Sequence, residues 1–331
     1  MIQSVQFRNF KALKDTALPL GPFTLFIGPN GSGKSTAIQG LREAAFPASD
    51  RLHDIASAGS NLVKEVVEVI LHFAGPFEGI SRRVSWTISN TRVDDKGPVS
   101  DEIAGKINTM LTRLRVYSLN PNAIAAAVPL NPSLELNNEG GYLAAVLDQL
   151  RDNEPERFED LNKELGRWLP EFDRILFETP TPGHRGILLR TRQGQHPIPA
   201  RNLSQGTLLS LAILTLAHLP HPPSIVCLEE PDRGIHPRLL REVQDALYRL
   251  SYPESHGENR DGVQVVVTTH SPYFLDLYKN HPEQVVIAQK IGDEVHFDRL
   301  SDLPHVEEIL QGASLGDIWY SGILGGVPCE R

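Results

Sequence analysis

The strongest constraint on the fold is the run Gly28-Pro29-Asn30-Gly31-Ser32-Gly33-Lys34-Ser35-Thr36, set between an apolar segment and a helical one. Phe23-Thr24-Leu25-Phe26-Ile27 reads as a buried strand that Gly28 breaks, and a helix is expected from about Lys34 towards Ala45. Glycines at 28, 31 and 33 let backbone N–H groups curl round an anion with no Cβ in the way. The helix aims its positive end at the same point. Asn30, Gly31, Ser32, Gly33, Lys34, Ser35 and Thr36 are therefore the candidate phosphate-binding residues. Lys34 is expected to reach the β- and γ-phosphates of a nucleotide, and the Ser35 hydroxyl to ligate Mg2+.

Three further segments follow in a fixed order. Asn202-Leu203-Ser204-Gln205-Gly206-Thr207 precedes a strongly apolar helix. Ser204 reads most simply as its N-cap. Because the segment lies about 20 residues before the next motif, a second reading stays open: Ser204, Gln205 and Gly206 as an anion site at a helix N-terminus. That next motif is Ile225-Val226-Cys227-Leu228 running into Glu229-Glu230-Pro231-Asp232. Carboxylates ending a buried strand are costly without partners. Strand alternation sends neighbouring side chains to opposite sides, so the pair is expected to divide the work. Glu229 is assigned to Mg2+ and Glu230 to orienting and deprotonating an attacking water. Last comes Val265-Val266-Val267-Thr268-Thr269-His270-Ser271, where His270 is either an exposed strand-end histidine or a site residue.

The rest of the chain supplies the frame. Strands are expected at 2–8, 66–73, 82–88, 114–119 and 187–191, with 94–98 a solvated turn and 103–111 a short helix. Between about 121 and 180 helical spacing dominates, as in Leu143, Val146, Leu147 and Leu150. From 205 onward the chain alternates: helix 205–218, strand 224–228, helix 237–250, strand 263–268, helix 272–279, strand 284–289. Such alternation indicates an α/β fold with a mainly parallel core sheet, joined here by an antiparallel β subdomain and a helical lobe. One domain is expected over 1–331. Residues 1–120 and 221–300 would form the nucleotide-binding lobe, about 121–220 the helical lobe carrying Ser204, and 301–331 a tail. No sustained heptad pattern runs between Thr36 and Asn202, so no long coiled-coil arm is expected.

The net charge of −9 counts against a broad basic surface for nucleic acid. Arg82-Arg83 and Arg185 to Arg192 are local exceptions, read as solvated strand faces or as nucleic-acid contacts. Two distant cysteines, the absence of a signal-peptide layout at Met1 and the lack of a long apolar stretch point to a cytoplasmic protein without a membrane partner.

Together, Gly28–Thr36, Leu203-Ser204-Gln205-Gly206, Ile225–Pro231 and His270 resemble the phosphate loop, signature, Walker B and switch-histidine motifs of ABC-type ATPases. The match is to the SMC/RecF-like branch. Phe7-Arg8-Asn9-Phe10-Lys11, Glu229 to Pro237 and Thr268 to Pro272 are similar to compact ATPases of the overcoming-lysogenization-defect type, common in bacterial anti-phage and toxin–antitoxin loci. The resemblance spans nearly the whole chain.

It implies ATP and Mg2+ as cofactors, ATP hydrolysis, and an ATP-dependent head-to-tail homodimer. Ser204, Gln205 and Gly206 would then meet the γ-phosphate held by the other copy. His270 would sense that phosphate, Asp232 to His236 would cross the interface, and Asn9 and Lys11 would flank the base. Two departures from the pattern stand out. Glu229 fills a position more often held by Asp. Gln205 and Thr207 replace commoner signature residues. Tyr117–Asn122 is only a positional candidate for the family's glutamine loop.

Nuclease relatives carry an added metal-dependent domain, for which the roughly 40 residues after the last strand are too few. Leu315 to Tyr320, with Gly322, Gly325 and Gly326, resemble the C-terminus of the compact members, either docking on the protein's own core or meeting a partner. The implied role is a switch controlling a separate nuclease or toxin effector. A RecF-like ATPase that binds DNA or RNA structures is the alternative, and a transporter subunit fits least.

Overall fold

In the first strand Val5 and Phe7 alternate with the exposed Arg8, while Ile2, before a register shift, and Phe10, after the left-handed Asn9, are buried out of that period. The computed structural model describes residues 1–61, 65–131, 134–304, 306, 314–322 and 324. In chain order its elements begin with β1 (Ile2–Phe10), β2 (Leu13–Pro19), β3 (Phe23–Ile27), α1 (Lys34–Ala45), α2 (Leu52–Ile55) and β4 (Val67–Phe73). Then come β5 (Ser81–Trp86), β6 (Thr91–Lys96), α3 (Asp101–Thr112), β7 (Leu114–Tyr117), α4 (Pro121–Ala125) and β8 (Val128–Pro129). Next are α5 (Leu143–Asn153), α6 (Pro155–Trp168), β9 (Phe172–Glu178), β10 (His184–Thr191), β11 (Pro197–Pro199) and α7 (Gln205–Ala217). The chain continues through β12 (Ile225–Glu229), α8 (Leu240–Ser251), β13 (Gln264–Thr269), α9 (Pro272–Asp276), β14 (Val285–Ile291) and β15 (Glu294–Arg299). The last helix among the described residues is α10 (Leu315–Tyr320).

Two compact units divide these elements. The first holds residues 1–116, 223–227 and 262–331, and the second 117–222 and 228–261. The expected nucleotide-binding lobe included 221–300, so the observed division differs by grouping 228–261 with the helical segment.

Unit one contains the antiparallel sheet β2-β1-β4-β5-β6 and nearly all of the sheet β15-β14-β3-β13-β12-β7. Strand β3 is flanked by β13 and β14, parallel to both. Its five residues are all buried, as a central strand covered on both faces requires. One apolar cluster joins Phe7 and Val69 of the antiparallel sheet to Ile38 and Leu41 of α1 and to Phe26 and Val266. Gln264 staples the N-terminus into this unit: its side-chain amide exchanges hydrogen bonds with Ile2 N–H (2.9 Å) and Ile2 C=O (2.6 Å).

In unit two, β10 is the hub of a small antiparallel sheet, pairing with β8, β9 and β11. Helix α7 is apolar almost all round and buried along its length from Thr207 to Ala217, the pattern of a helix surrounded by protein.

Several expected boundaries are corrected. Asp94, Asp95 and Lys96 belong to β6 and not to a turn, because Arg82 lies directly opposite Asp95 on β5 and grips it with two hydrogen bonds of 2.7 Å. Strands β8 and β9 interrupt the expected helical stretch, and β2 and β15 are additional strands. The helix placed at 272–279 ends at Asp276, and the one placed at 237–250 is helical in the α sense only from Leu240. Gly325 and Gly326 of the tail lie outside the described residues. No described helix is long and apolar enough to cross a membrane.

Candidate functional site

Strand β3 ends where glycine becomes obligatory. Gly28 has φ 154°, and a Cβ there would run into the carbonyl oxygen of Ala288. Gly33 has φ 94°, and its Cβ would stand 2.9 Å from Val295 Cγ1. Gly31, at φ 78°, faces open space. Gly33 is also the N-cap of α1, which has no side-chain cap and no acid in its first turn. An uncapped helix N-terminus behind a glycine loop is built for an anion.

Lys34 is buried, and its ammonium donates to Gly28 C=O at 2.7 Å and Pro29 C=O at 3.0 Å. These bonds hold the charge against the loop. Ser35 is exposed, Thr36 half-buried, Ser32 buried and Asn30 exposed. The chemistry of this set fits a nucleotide triphosphate: backbone N–H groups and one lysine for phosphate charge, and an open hydroxyl on Ser35 for a hard cation.

Two other expected residues of unit one lie at the β1–β2 corner. Asn9 and Lys11 both hold left-handed backbones, φ 53° and 49°. The Lys11 ammonium donates to Gln39 Oε1 at 2.7 Å, on α1 one turn beyond Ser35. The Asn9 amide instead donates to Val66 C=O at 3.1 Å. Lys11 therefore touches the phosphate-loop helix, and Asn9 is committed elsewhere.

His270 follows β13, in which Thr269 pairs with Ile27 of β3. His270 and Gly28 are therefore the residues that directly follow these two paired strand ends. It is half-buried.

The acidic pair departs from expectation. Glu229 is the last residue of β12, but Glu230 has φ 47° and has already left the strand. Strand alternation consequently does not govern the pair, and a left-handed turn sets the direction of Glu230. Such a backbone is unfavourable for a non-glycine residue and clusters at functional sites. Two tight turns follow, Arg233 N–H to Glu230 C=O at 3.0 Å and Ile235 N–H to Asp232 C=O at 3.1 Å.

Those turns bring Gly234 against the signature segment, within unit two. Ser204 is the N-cap of α7: its Oγ accepts from Thr207 N–H at 3.1 Å and shares a hydrogen bond with Thr207 Oγ1 at 2.8 Å. A Cβ on Gly206 would lie 2.6 Å from the Gly234 carbonyl oxygen. Sequence reasoning missed this approach, as it missed Gln39. The only available signal was two glycines in segments already marked for other reasons. The arginines Arg82 and Arg190 are each clamped on a carboxylate, Asp95 and Asp173 respectively, which favours their reading as structural.

Residues 106–276 match the family model described as "AAA domain, putative AbiEii toxin, Type IV TA system". The chain belongs to this AAA-domain family. Residues 1–57 additionally match the model "AAA ATPase domain", which covers the phosphate loop. Among curated relatives, the chain is 24% identical to the OLD nuclease of Thermus scotoductus, over 96% of its own length and 68% of that protein's. It is 21% identical to the Old nuclease of Escherichia phage P2, over 95% of its own length but only 63% of that protein's.

The fold is that of SMC head domains. It matches the SMC head bound to the C-terminal winged-helix domain of ScpA with a TM-score of 0.63 at 17% identity, covering 90% of this chain and 96% of that one. A Pyrococcus furiosus SMC head gives the same TM-score at 15% identity, covering 94% of this chain and 99% of that one. The chain is thus an AAA-domain protein that resembles OLD nucleases in sequence and SMC heads in fold.

Proposed function

We propose that this AAA-family ATPase binds and hydrolyses ATP with Mg2+ at residues 28–36, closing head-to-tail on a second copy of itself. In this reading it is the sensor subunit of a separate nuclease or toxin effector in anti-phage defence. The observation that carries the nucleotide reading is the uncapped, glycine-cradled N-terminus of α1 with Lys34 folded against it. Backbone amides and Lys34 bind phosphate charge, Ser35 and Glu229 would hold Mg2+, and Glu230 takes the proton of the attacking water. Bound Mg2+ would supply charge neutralisation between the phosphates.

The dimer reading draws on Ser204 and Gly206 at the head of α7, which would meet the γ-phosphate of the partner's ATP, and on His270 as a γ-phosphate sensor. The effector reading draws on the family model, whose description names a toxin–antitoxin system, and on relatives named nucleases. This chain spans about two thirds of their length.

Glu230→Gln tests the whole. It removes the base while keeping volume, so hydrolysis should fall by about 10²–10⁴-fold with ATP still bound. Sedimentation should then show an ATP-dependent dimer. A Glu230→Gln protein that saturates with ATP yet stays monomeric at high concentration would end the composite-site reading.

A further inference from the structure

The tail resolves into an element built onto the switch region. In α10, Leu315 and Ile318 are buried, and Ser314 Oγ caps the helix by accepting from Asp317 N–H at 3.1 Å. Gly316 N–H donates to the Asp276 carboxylate at 2.7 Å, and a Cβ on Gly316 would stand 2.7 Å from the Pro272 carbonyl oxygen. Pro272 and Asp276 are the first and last residues of α9. Helix α10 therefore grips α9 at both ends.

Helix α9 in turn leaves His270 no slack. Ser271 Oγ caps it by accepting from Phe274 N–H at 3.2 Å, and Ser271 N–H donates to Thr269 Oγ1 at 2.9 Å. His270 is thus the single residue between the end of β13 and the cap of α9. Phe274 within α9 and Tyr278 just after it are fully buried, with Tyr278 stacked on Phe23 at 5.4 Å. A contact between backbones, as at Gly316 and Pro272, cannot be absorbed by a rotamer change, and close packing transmits the displacement.

From this geometry we infer that α10 is the read-out arm of His270. Movement of the histidine on meeting or losing a γ-phosphate is carried through Ser271 and α9 to α10, which presents Tyr320, 83% exposed, to the solvent. The inference rests on the reading of His270 as a phosphate sensor and adds the output to it. Because coupling is reciprocal, whatever restrains α10 must shift nucleotide affinity by the same factor.

The test is amide hydrogen exchange on the full chain, with and without Mg2+ and a non-hydrolysable ATP analogue, binding being measured on the same samples by calorimetry. Exchange at Gly316 to Tyr320 should change about five-fold or more on binding. His270→Ala, compared at an analogue concentration that calorimetry shows to saturate it, should lose that change. Analogue bound with α10 exchange unaltered, or altered equally in His270→Ala, overturns the relay while leaving the phosphate-loop reading intact. No binding by calorimetry removes both. In the reverse direction, Gly316→Ala should shift analogue affinity by a similar factor in the wild-type background and not in His270→Ala. Equal shifts in both backgrounds would overturn the relay. Should Gly316→Ala fail to fold, the comparison of wild type with His270→Ala decides alone.

Discussion

The carbonyl oxygen of Gly234 stands 2.6 Å from the point a Cβ on Gly206 would occupy, so the loop following Glu230 and the head of α7 touch through backbone. Gly206→Ala must push one of them away. Overpacking of this kind costs about 1–3 kcal/mol. The expected outcome is a lowered Tm together with an ATPase loss larger than that Tm change explains at the assay temperature. Unchanged turnover in a normally stable Gly206→Ala protein would detach this contact from function.

Lys34→Ala removes more than a ligand. The ammonium is the donor to Gly28 and Pro29 carbonyls at 2.7 and 3.0 Å, so its loss also frees the loop it would need to shape. ATP affinity measured by calorimetry should fall about 100-fold or more. Affinity within a few-fold of wild type would contradict the assignment of residues 28–36.

Legibility in the sequence tracked how local each cause was. Phe23 to Gly28 could be read because an apolar run stops at a glycine whose φ of 154° no other residue adopts easily. Ser204 could be read as a cap because capping acts over three residues. Strand β6 could not. Thr91-Arg92-Val93-Asp94-Asp95-Lys96 is polar, and it becomes a strand through a partner thirteen positions away, Arg82. The left-handed Glu230 was likewise hidden, since nothing in Leu228-Glu229-Glu230-Pro231 specifies a positive φ for a glutamate. The family-level motifs were legible because phosphate binding needs fixed spacings. The contacts that connect them, Gly206 to Gly234 and Gly316 to Pro272, belong to tertiary packing.

Arg82 separates a structural arginine from a nucleic-acid contact. Its guanidinium makes two 2.7 Å bonds to Asp95 and one of 2.6 Å to Asn108, with the side chain 8% exposed. Breaking a buried pair from one side costs about 3–5 kcal/mol. Arg82→Ala should therefore lower chemical-denaturant stability by that order, with no change in the salt dependence of any DNA or RNA binding. A normal unfolding midpoint combined with a shallower salt slope would reverse the assignment.

Acid should loosen unit two, which is held together at neutral pH by two depressed carboxyls. Burial alone would push the Glu164 carboxyl up, but His218, Arg249 and Arg167 outweigh it and hold the group below its ordinary value. Glu258 is likewise raised by burial and then lowered further by hydrogen bonds from Arg249 and Arg260. Arg249 reaches both, at 3.2 Å to Glu164 and 2.5 Å to Glu258. A carboxyl depressed in the folded state lends stability above its unfolded pKa, about 4.3. That stability is lost as pH falls from there through the folded value. Thermal melts should thus drop steeply below about pH 4.3. The double variant Glu164→Gln/Glu258→Gln should be less stable at pH 7 and show a flatter acid limb. An acid limb as steep as wild type in that variant would place the proton uptake elsewhere and free this cluster from any role in acid sensitivity.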